Sequence, residues 1–197
     1  MTFRPVAVYS SYLGLLLIPG VPNTVLANEL IIDDRSSGNM ASNIGTEWRF
    51  VADTVMGGVS SGDVTLDSHN DRNCLRMRGN VSTKNNGGFV QMSLSLSDRG
   101  VFDASDYDGI KFEVSGNSES YNVHLRTTGP WFPWQSYRAS FTATPDWQTV
   151  RIPFSKLEAY KTSQAFRQNK LKRVGLLGIG REFQADLCLA AIRFYSR

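Results

Sequence analysis

The chain has 197 residues, of which 41% are hydrophobic, 20% charged and 11% aromatic, and its formal net charge is +3. The apolar and aromatic content excludes an intrinsically disordered chain, and 17 glycines with 7 prolines exclude a coiled coil. Two cysteines and two histidines are too few for a zinc ribbon or a histidine-built metal site. The small net charge, without a dense stripe of lysine and arginine, argues against a nucleic-acid partner.

The first 27 residues have the layout of a secretory signal peptide. Arg4 is the only charged residue among them, and an apolar stretch runs from Val6 to Ile18. Val25 and Ala27 then place small residues at the −3 and −1 positions of a cleavage site before Asn28. The apolar stretch has about 13 residues, fewer than the roughly 20 that a membrane-spanning helix needs. We therefore predict a signal peptide over residues 1–27 and a single mature domain over residues 28–197. That domain is predicted to have no transmembrane segment and to be periplasmic or secreted.

The two cysteines, Cys74 and Cys188, have two interpretations. In an oxidising compartment they can form a disulfide. Alternatively, they are separate thiols that pack as small apolar side chains. The sequence leaves this choice open, because pairing depends on the geometry of the folded chain.

Nine short segments alternate apolar and polar residues in the manner of half-buried β-strands. They are separated by turn clusters such as Ser115-Gly116-Asn117 and Thr144-Pro145-Asp146. The only helix-like stretch covers residues 154–172, and its irregular apolar spacing predicts a short helical excursion on the surface. The pattern predicts an all-β jelly-roll sandwich of about nine strands. In chain order, the predicted strands cover residues 63–66, 74–78, 88–96, 109–114, 121–126, 136–141, 148–152, 174–178 and 187–194.

No common catalytic arrangement is visible in the sequence. It contains no Gly-x-Ser-x-Gly elbow and no phosphate-binding Walker loop, and residues 175–180 lack the Gly-x-Gly-x-x-Gly order. Nothing brings together two carboxylates for glycoside hydrolysis. We therefore predict a protein that is not an enzyme and that has no cofactor. Asp33, Asp34 and Asp186 could offer oxygens to a structural calcium ion, but they are equally typical of solvated surface acids, and no metal site is assigned.

A segment with paired glycines provides the first group of candidate binding residues. Two adjacent glycines let the backbone adopt a positive φ or pass close to another surface, and neighbouring polar side chains can bind the amide groups of such a loop. The alternative is a strained turn at the edge of a sheet, held by methionine packing. The candidates in this segment are Asp53, Met56, Gly57, Gly58 and Ser60.

Two further motifs combine polar and aromatic residues. Asn86 precedes a second glycine pair, in a sequence that is also typical of a hairpin turn. Trp131, Trp134 and Tyr137 form an aromatic loop, whose rings could stack on a sugar or anchor a protein partner, with Arg126 nearby. Alternatively, the tryptophans fold back onto the core. We refer to the six candidate residues Asp53, Met56, Gly57, Gly58, Ser60 and Asn86 as the rim, and to residues 131–137 as the aromatic loop.

Five ordered groups of segments resemble the NADH:ubiquinone oxidoreductase (complex I) intermediate-associated protein family, and they span roughly residues 30–195. The resemblance implies a galactose-binding-like β-sandwich. Because mitochondrial members of the family assist the assembly of respiratory complex I, it also implies binding to a protein partner. The segments are WRFVADTVMGGVS, GNVSTKNNGGFVQM, YDGIKFEVSGNSESYNVHLRT, YRASFTATPDWQTVRIPFSKL, and VGLLG with LCLAAIRFY.

The sequence therefore supports two functions. The first is a non-catalytic module that assists the assembly or stabilisation of a protein complex through contacts at the rim. The alternative is a secreted carbohydrate-binding module that uses the aromatic loop. A tight rim with an exposed apolar patch and no open groove would favour the first function. An open concave face with a solvent-exposed tryptophan would favour the second.

Overall fold

The described residues of the computed structural model are 2, 28–129, 132 and 134–196. Nearly all of the predicted signal peptide lies outside them. The described residues form two antiparallel sheets of six strands each, so the predicted all-β sandwich is confirmed. In the described part of the chain, no helix is long and apolar enough to cross a membrane.

Sheet I has the strand order β3-β4-β12-β6-β9, and β1 also pairs with the long strand β12. Its strands are β1 (Glu29–Asp33), β3 (Ser61–His69), β4 (Arg72–Val81), β6 (Gly109–Gly116), β9 (Gln148–Pro153) and β12 (Phe183–Tyr195). Sheet II has the order β10-β8-β7-β11-β5-β2. Its strands are β2 (Trp48–Ala52), β5 (Phe89–Ser95), β7 (Ser120–Thr127), β8 (Ser136–Thr142), β10 (Glu158–Tyr160) and β11 (Leu171–Ile179).

The alternation within each strand decides which residues enter the core. In β6, Ile110, Phe112 and Val114 are at most 1% exposed, as the period of two predicts. From sheet II, Val123 and Leu176 are fully buried against them in the same core cluster. Alternate residues of these strands, such as Lys111, Glu113 and His124, lie on the outer faces of the two sheets.

The predicted helical excursion over residues 154–172 is limited to two short turns. This segment contains two 3-10 turns, Phe154–Lys156 and Gln168–Lys170, and the short strand β10, which pairs with the edge strand β8. Its apolar side chains pack against the core at irregular intervals, because the segment follows a sheet edge rather than presenting one helical face.

Cys74 and Cys188 form a disulfide that joins the neighbouring strands β4 and β12. Both residues are buried, and their Cα atoms are 5.5 Å apart. The bond closes a long segment of chain, since the two positions are 114 residues apart in sequence.

Candidate functional site

Asp53 holds the two glycine-rich loops of the rim together. It follows β2, at the start of a 3-10 turn, and its side chain has no exposure to solvent. One carboxylate oxygen accepts a hydrogen bond from the backbone N–H of Ser60 at 2.9 Å. The other accepts from the Ser60 hydroxyl and from the backbone N–H groups of Gly88 and Phe89.

One glycine in each of these two loops leaves space for this carboxylate. A Cβ atom at Gly58 would lie 2.3 Å from Cγ of Asp53, and one at Gly87 would lie 2.4 Å from its Oδ2. Any larger residue at either position would displace the acid. The paired glycines are thus explained by close packing around Asp53.

The pKa of Asp53 is lowered from its ordinary value of 3.8. Burial raises the pKa, but hydrogen bonds from Ser60, Gly88 and Phe89 to the ionised form outweigh it. The folded protein therefore stabilises the ionised carboxylate more than water does, although no lysine or arginine pairs with it in the described part of the chain.

The structure corrects the predicted role of the rim. Asp53 and Ser60 are buried and cannot contact a partner, because their polar atoms are used within the fold. Gly57 is exposed and adopts the left-handed conformation that ends the 3-10 turn. Of the rim residues, only Met56 and Asn86 line an open depression.

That depression is a groove on the outer face of sheet II. It encloses about 760 Å³ of empty space, counting its open mouth. Among the described residues, its lining includes no aspartate or glutamate. The polar side chains of its lining are Asn86, Gln91, His124, Arg126, Ser136, Lys161 and Arg173. The larger apolar and aromatic side chains are Met56, Phe89, Trp134, Tyr160, Leu177 and Ile179.

The floor of the groove depends on a glycine in β11. Gly175 lies between Ser93 of β5 and His124 of β7 in the sheet register. A Cβ atom at this position would lie 1.8 Å from Nε2 of Gln91, so the amide side chain of Gln91 extends across the glycine. A polar amide thereby covers the middle of the floor.

His124 and Ser136 form a hydrogen-bonded pair in the groove. Ser136 Oγ lies 2.9 Å from Nδ1 of His124, and Tyr160 packs edge-on against the imidazole with ring centroids 5.7 Å apart. Burial, with a smaller contribution from the charge of Arg138, lowers the pKa of His124 to about 3. The imidazole is therefore neutral at physiological pH, and its buried Nε2 has no hydrogen-bond partner among the described residues.

This pair is poorly suited to nucleophilic catalysis. In a serine–histidine–acid arrangement a carboxylate orients the ring, and the imidazole acts as a base with a pKa near the working pH. Here no carboxylate bonds to His124 in the described structure, and its pKa is far below neutrality. The pair is suited instead to hydrogen bonding with a ligand.

Trp134 forms one side of the groove. Its ring is 41% exposed and stacks on Phe132, with ring centroids 4.7 Å apart and an interplanar angle of 7°. The loop is tied to its surroundings, because Gln135 Nε2 donates to the Lys161 carbonyl at 2.9 Å and Arg126 donates to the Phe132 carbonyl at 3.3 Å. A flat aromatic surface is thus available beside polar groups.

The structure describes one of the other two aromatic candidates, Tyr137. Trp131 lies outside the described residues. The structure corrects the prediction for Tyr137, which is 2% exposed and faces the core, where its hydroxyl donates to the carbonyls of Gln164 and Ala165. Tyr137 points inwards because it follows the outward-facing Ser136 in β8, and successive residues of a strand face opposite sides.

Several groove residues escaped the sequence analysis, namely Gln91, His124, Ser136, Tyr160, Lys161 and Arg173. The sequence of β7 does contain a signal for the groove residues His124 and Arg126. With Asn122, they alternate with apolar residues. That alternation predicts a polar outer face. It cannot reveal that β5, β8, β10 and β11 place their own polar residues beside it.

The acids considered for calcium have other partners. Asp33 is buried in an ion pair with Arg35, Asp34 accepts a hydrogen bond from the backbone of Ser36, and Asp186 accepts two hydrogen bonds from Arg76. Among the described residues, no three histidine, cysteine, aspartate or glutamate side chains cluster in a way that could hold a metal ion.

A comparison with protein families matches residues 39–188 to the model of complex I intermediate-associated protein 30 (CIA30). A comparison with curated proteins gives no match.

The solved structures that resemble the chain include carbohydrate-binding modules of Clostridium thermocellum. A family 11 module in complex with a β-1,3-1,4-mixed-linked tetrasaccharide is 14% identical, with a TM-score of 0.66 over 85% of this chain and 95% of that one. A family 30 module of a cellulosomal cellulase is 18% identical, with a TM-score of 0.59 over 86% of this chain and 98% of that one. At these identities the likeness establishes the jelly-roll fold alone.

Proposed function

The chain belongs to the complex I intermediate-associated protein 30 family, and from this premise we propose that it is a non-catalytic module that binds a carbohydrate chain in the groove of sheet II. The observation that carries the proposal is the composition of the groove. An exposed indole, Trp134, lies beside the buried imidazole of His124 and the half-buried amide of Gln91. Sugars need this combination, because their C–H faces stack on aromatic rings while their hydroxyl groups need hydrogen-bond partners.

The geometry supports the sugar over a protein partner at the rim. The rim is closed around the buried carboxylate of Asp53, whereas the groove is open to solvent. A family 11 carbohydrate-binding module with the same fold was solved in complex with a β-1,3-1,4-mixed-linked tetrasaccharide, which is consistent with the proposal but does not carry it.

A glycan-array screen of the purified chain tests this function, with Trp134→Ala and Trp134→Phe as matched variants. We expect specific binding by the wild type, a loss of about tenfold or more in Trp134→Ala, and partial retention in Trp134→Phe, because phenylalanine preserves a stacking face. Thermal unfolding must show that all three proteins are folded. A folded wild type that binds no glycan on the array would refute the proposal.

A second candidate is a role in assembling a protein complex. It is favoured by the family description and by an exposed apolar cluster beside the groove, formed by Val55, Met56 and Val59 at 70%, 43% and 46% exposure. Co-migration with a complex I intermediate on native gels would support it, if Val55→Asp with Val59→Asp abolishes co-migration and Trp134→Ala does not. The opposite pattern, or no co-migration, would exclude it.

We also propose that the chain is exported and loses residues 1–27. The leader pattern supports this, and so does the Cys74–Cys188 disulfide, because such bonds persist in oxidising compartments. N-terminal sequencing of the protein from its native host tests the proposal, with Asn28 as the expected first residue. A chain that retains residues 1–27 in the cytoplasm would contradict it.

A further inference from the structure

The outer faces of the two sheets differ in how their cationic side chains are paired. On sheet I, Arg72 and Arg193 both form ion pairs with Glu113, and Arg76 forms a two-pronged pair with Asp186 at 2.6 and 2.7 Å. These cations are neutralised within the protein, whereas Arg151 of β9 forms no ion pair among the described residues and lies over the ring of Tyr195.

On sheet II the corresponding cations have no such partners. Arg126, Arg138, Arg173 and Lys161 lie on or beside the groove, and none of them forms an ion pair with another described residue. Arg138 and Lys161 instead lie over the ring of Tyr160, at 4.0 and 5.4 Å from its centroid.

Carboxylates are present near this face, but they remain apart from the groove. Glu158 is opposite Arg138 in the register of β10 and β8. Asp98 lines a neighbouring depression together with Arg126 and Arg173, and Glu47 lines another with Arg173. These acids form no ion pair with the arginines among the described contacts, and none of them lines the groove.

Arg126 and Arg173 face each other directly across β7 and β11. Like charges at opposed positions of a sheet repel each other. Burial and the charge of Arg173 both lower the pKa of Arg126. The Nε–H of Arg126 is also buried without a hydrogen-bond partner in the described part of the protein. A bound anion between the two guanidinium groups would relieve the repulsion and accept hydrogen bonds from both.

We infer that the ligand of the groove is an acidic oligosaccharide, whose sugar rings stack on Trp134 while a carboxylate pairs with Arg126 and Arg173. The inference rests on the proposed carbohydrate function and specifies its ligand class. Guanidinium groups bind planar carboxylates with two parallel hydrogen bonds, which are stronger than bonds between neutral groups.

Matched pairs of oligosaccharides test the inference by isothermal titration calorimetry on the purified chain. Cello-oligosaccharide and β-1,4-glucuronan oligomers share one backbone and differ only in the oxidation of C6. Mannan and mannuronan oligomers, and α-1,4-galactan and galacturonan oligomers, extend the comparison. We expect at least one acidic member to bind about tenfold or more tightly than its neutral partner, with an affinity that falls as salt is added.

Charge variants then assign the preference to residues. Arg173→Gln removes an exposed guanidinium, and Arg126→Gln removes its buried neighbour, while Arg78→Gln makes the same charge change on sheet I. We expect each groove variant to lose about tenfold in affinity for the preferred acidic oligomer. Affinity for the neutral partner and the behaviour of Arg78→Gln should change by less than about twofold.

The outcomes distinguish the acidic-ligand inference from the carbohydrate function on which it rests. Equal binding of acidic and neutral partners would overturn the acidic-ligand inference and leave the carbohydrate function standing. Equal losses in Arg173→Gln and Arg78→Gln would also overturn it, because the effect would then be one of overall charge. Failure of the folded wild type to bind any of the six oligomers would overturn both.

Discussion

Replacing Asp53 by asparagine should destabilise the protein strongly, although the two side chains have nearly the same shape. The carboxylate is buried and accepts hydrogen bonds from Ser60, Gly88 and Phe89 at both of its oxygens. An asparagine has only one acceptor oxygen. Its NH2 group must therefore face either the N–H of Ser60 or the N–H groups of Gly88 and Phe89.

The size of the effect follows from these contacts. At least one buried donor loses its acceptor, which costs about 1–3 kcal/mol, and the remaining bonds lose their charge assistance. We expect the free energy of unfolding of Asp53→Asn to fall by about 2–5 kcal/mol. Removing the buried charge does not offset this loss, because the lowered pKa of Asp53 shows that the folded protein favours the ionised form.

Urea denaturation followed by far-UV circular dichroism measures this difference, with Asp63→Asn as the matched control. Asp63 is exposed, so its variant should stay within about 0.5 kcal/mol of the wild type. The deficit of Asp53→Asn should be full above the ordinary pKa of 3.8 and should shrink as the pH falls below it, because the wild-type carboxylate then becomes protonated. Equal stabilities of the two variants, or a deficit that does not depend on pH, would refute the reasoning.

Three further predictions concern other parts of the molecule. The free energy of unfolding of the wild type should fall by up to about 1.4 kcal/mol per pH unit between about pH 6 and pH 4, because burial lowers the pKa of His124 to about 3 while the unfolded chain takes up the proton. His124→Gln should lack this fall. Denaturation at several pH values checks this, and parallel wild-type and variant profiles would contradict it. Replacing both Cys74 and Cys188 by serine should lower the free energy of unfolding by about 2–5 kcal/mol, because the bond closes a segment of 114 residues; unchanged urea midpoints would show that the bond contributes nothing. Gly175→Ala should leave thermal unfolding nearly unchanged but weaken ligand binding in the groove by about tenfold, because its Cβ displaces the flexible amide of Gln91; unaltered titration curves for the preferred oligosaccharide would contradict this.

The sequence was sufficient to predict the longer strands of the two sheets but not the short strands at their edges. The alternation of Ile110, Phe112 and Val114 identifies a buried face, because a period of two has no other common interpretation over such a length. Strands β1, β2 and β10 were missed, since three to five residues carry too little periodicity to distinguish a strand from a loop. Tertiary pairing with longer neighbours, such as β12 and β8, fixes them in place.

The candidate site could be predicted only in part. Trp134 and Arg126 were identified because an aromatic loop and a neighbouring cation are visible locally. Gln91, Lys161 and Arg173 were missed, because each comes from a different part of the chain and only the sheet order brings them together. The inward orientation of Tyr137 depends on where β8 begins, which a loop containing two prolines does not reveal.

The rim residues and the residues that line the groove are largely different sets. Asp53, with Gly58 and Gly87 packed around it, locks the rim from within and contributes no polar atom to the groove. The rim therefore specifies the architecture of its loops, while the outward positions of β5, β7, β8, β10 and β11 line the groove. It follows that groove variants such as Arg173→Gln should alter binding without altering stability. Asp53→Asn should instead lower stability, and the molecules that remain folded should bind as the wild type does.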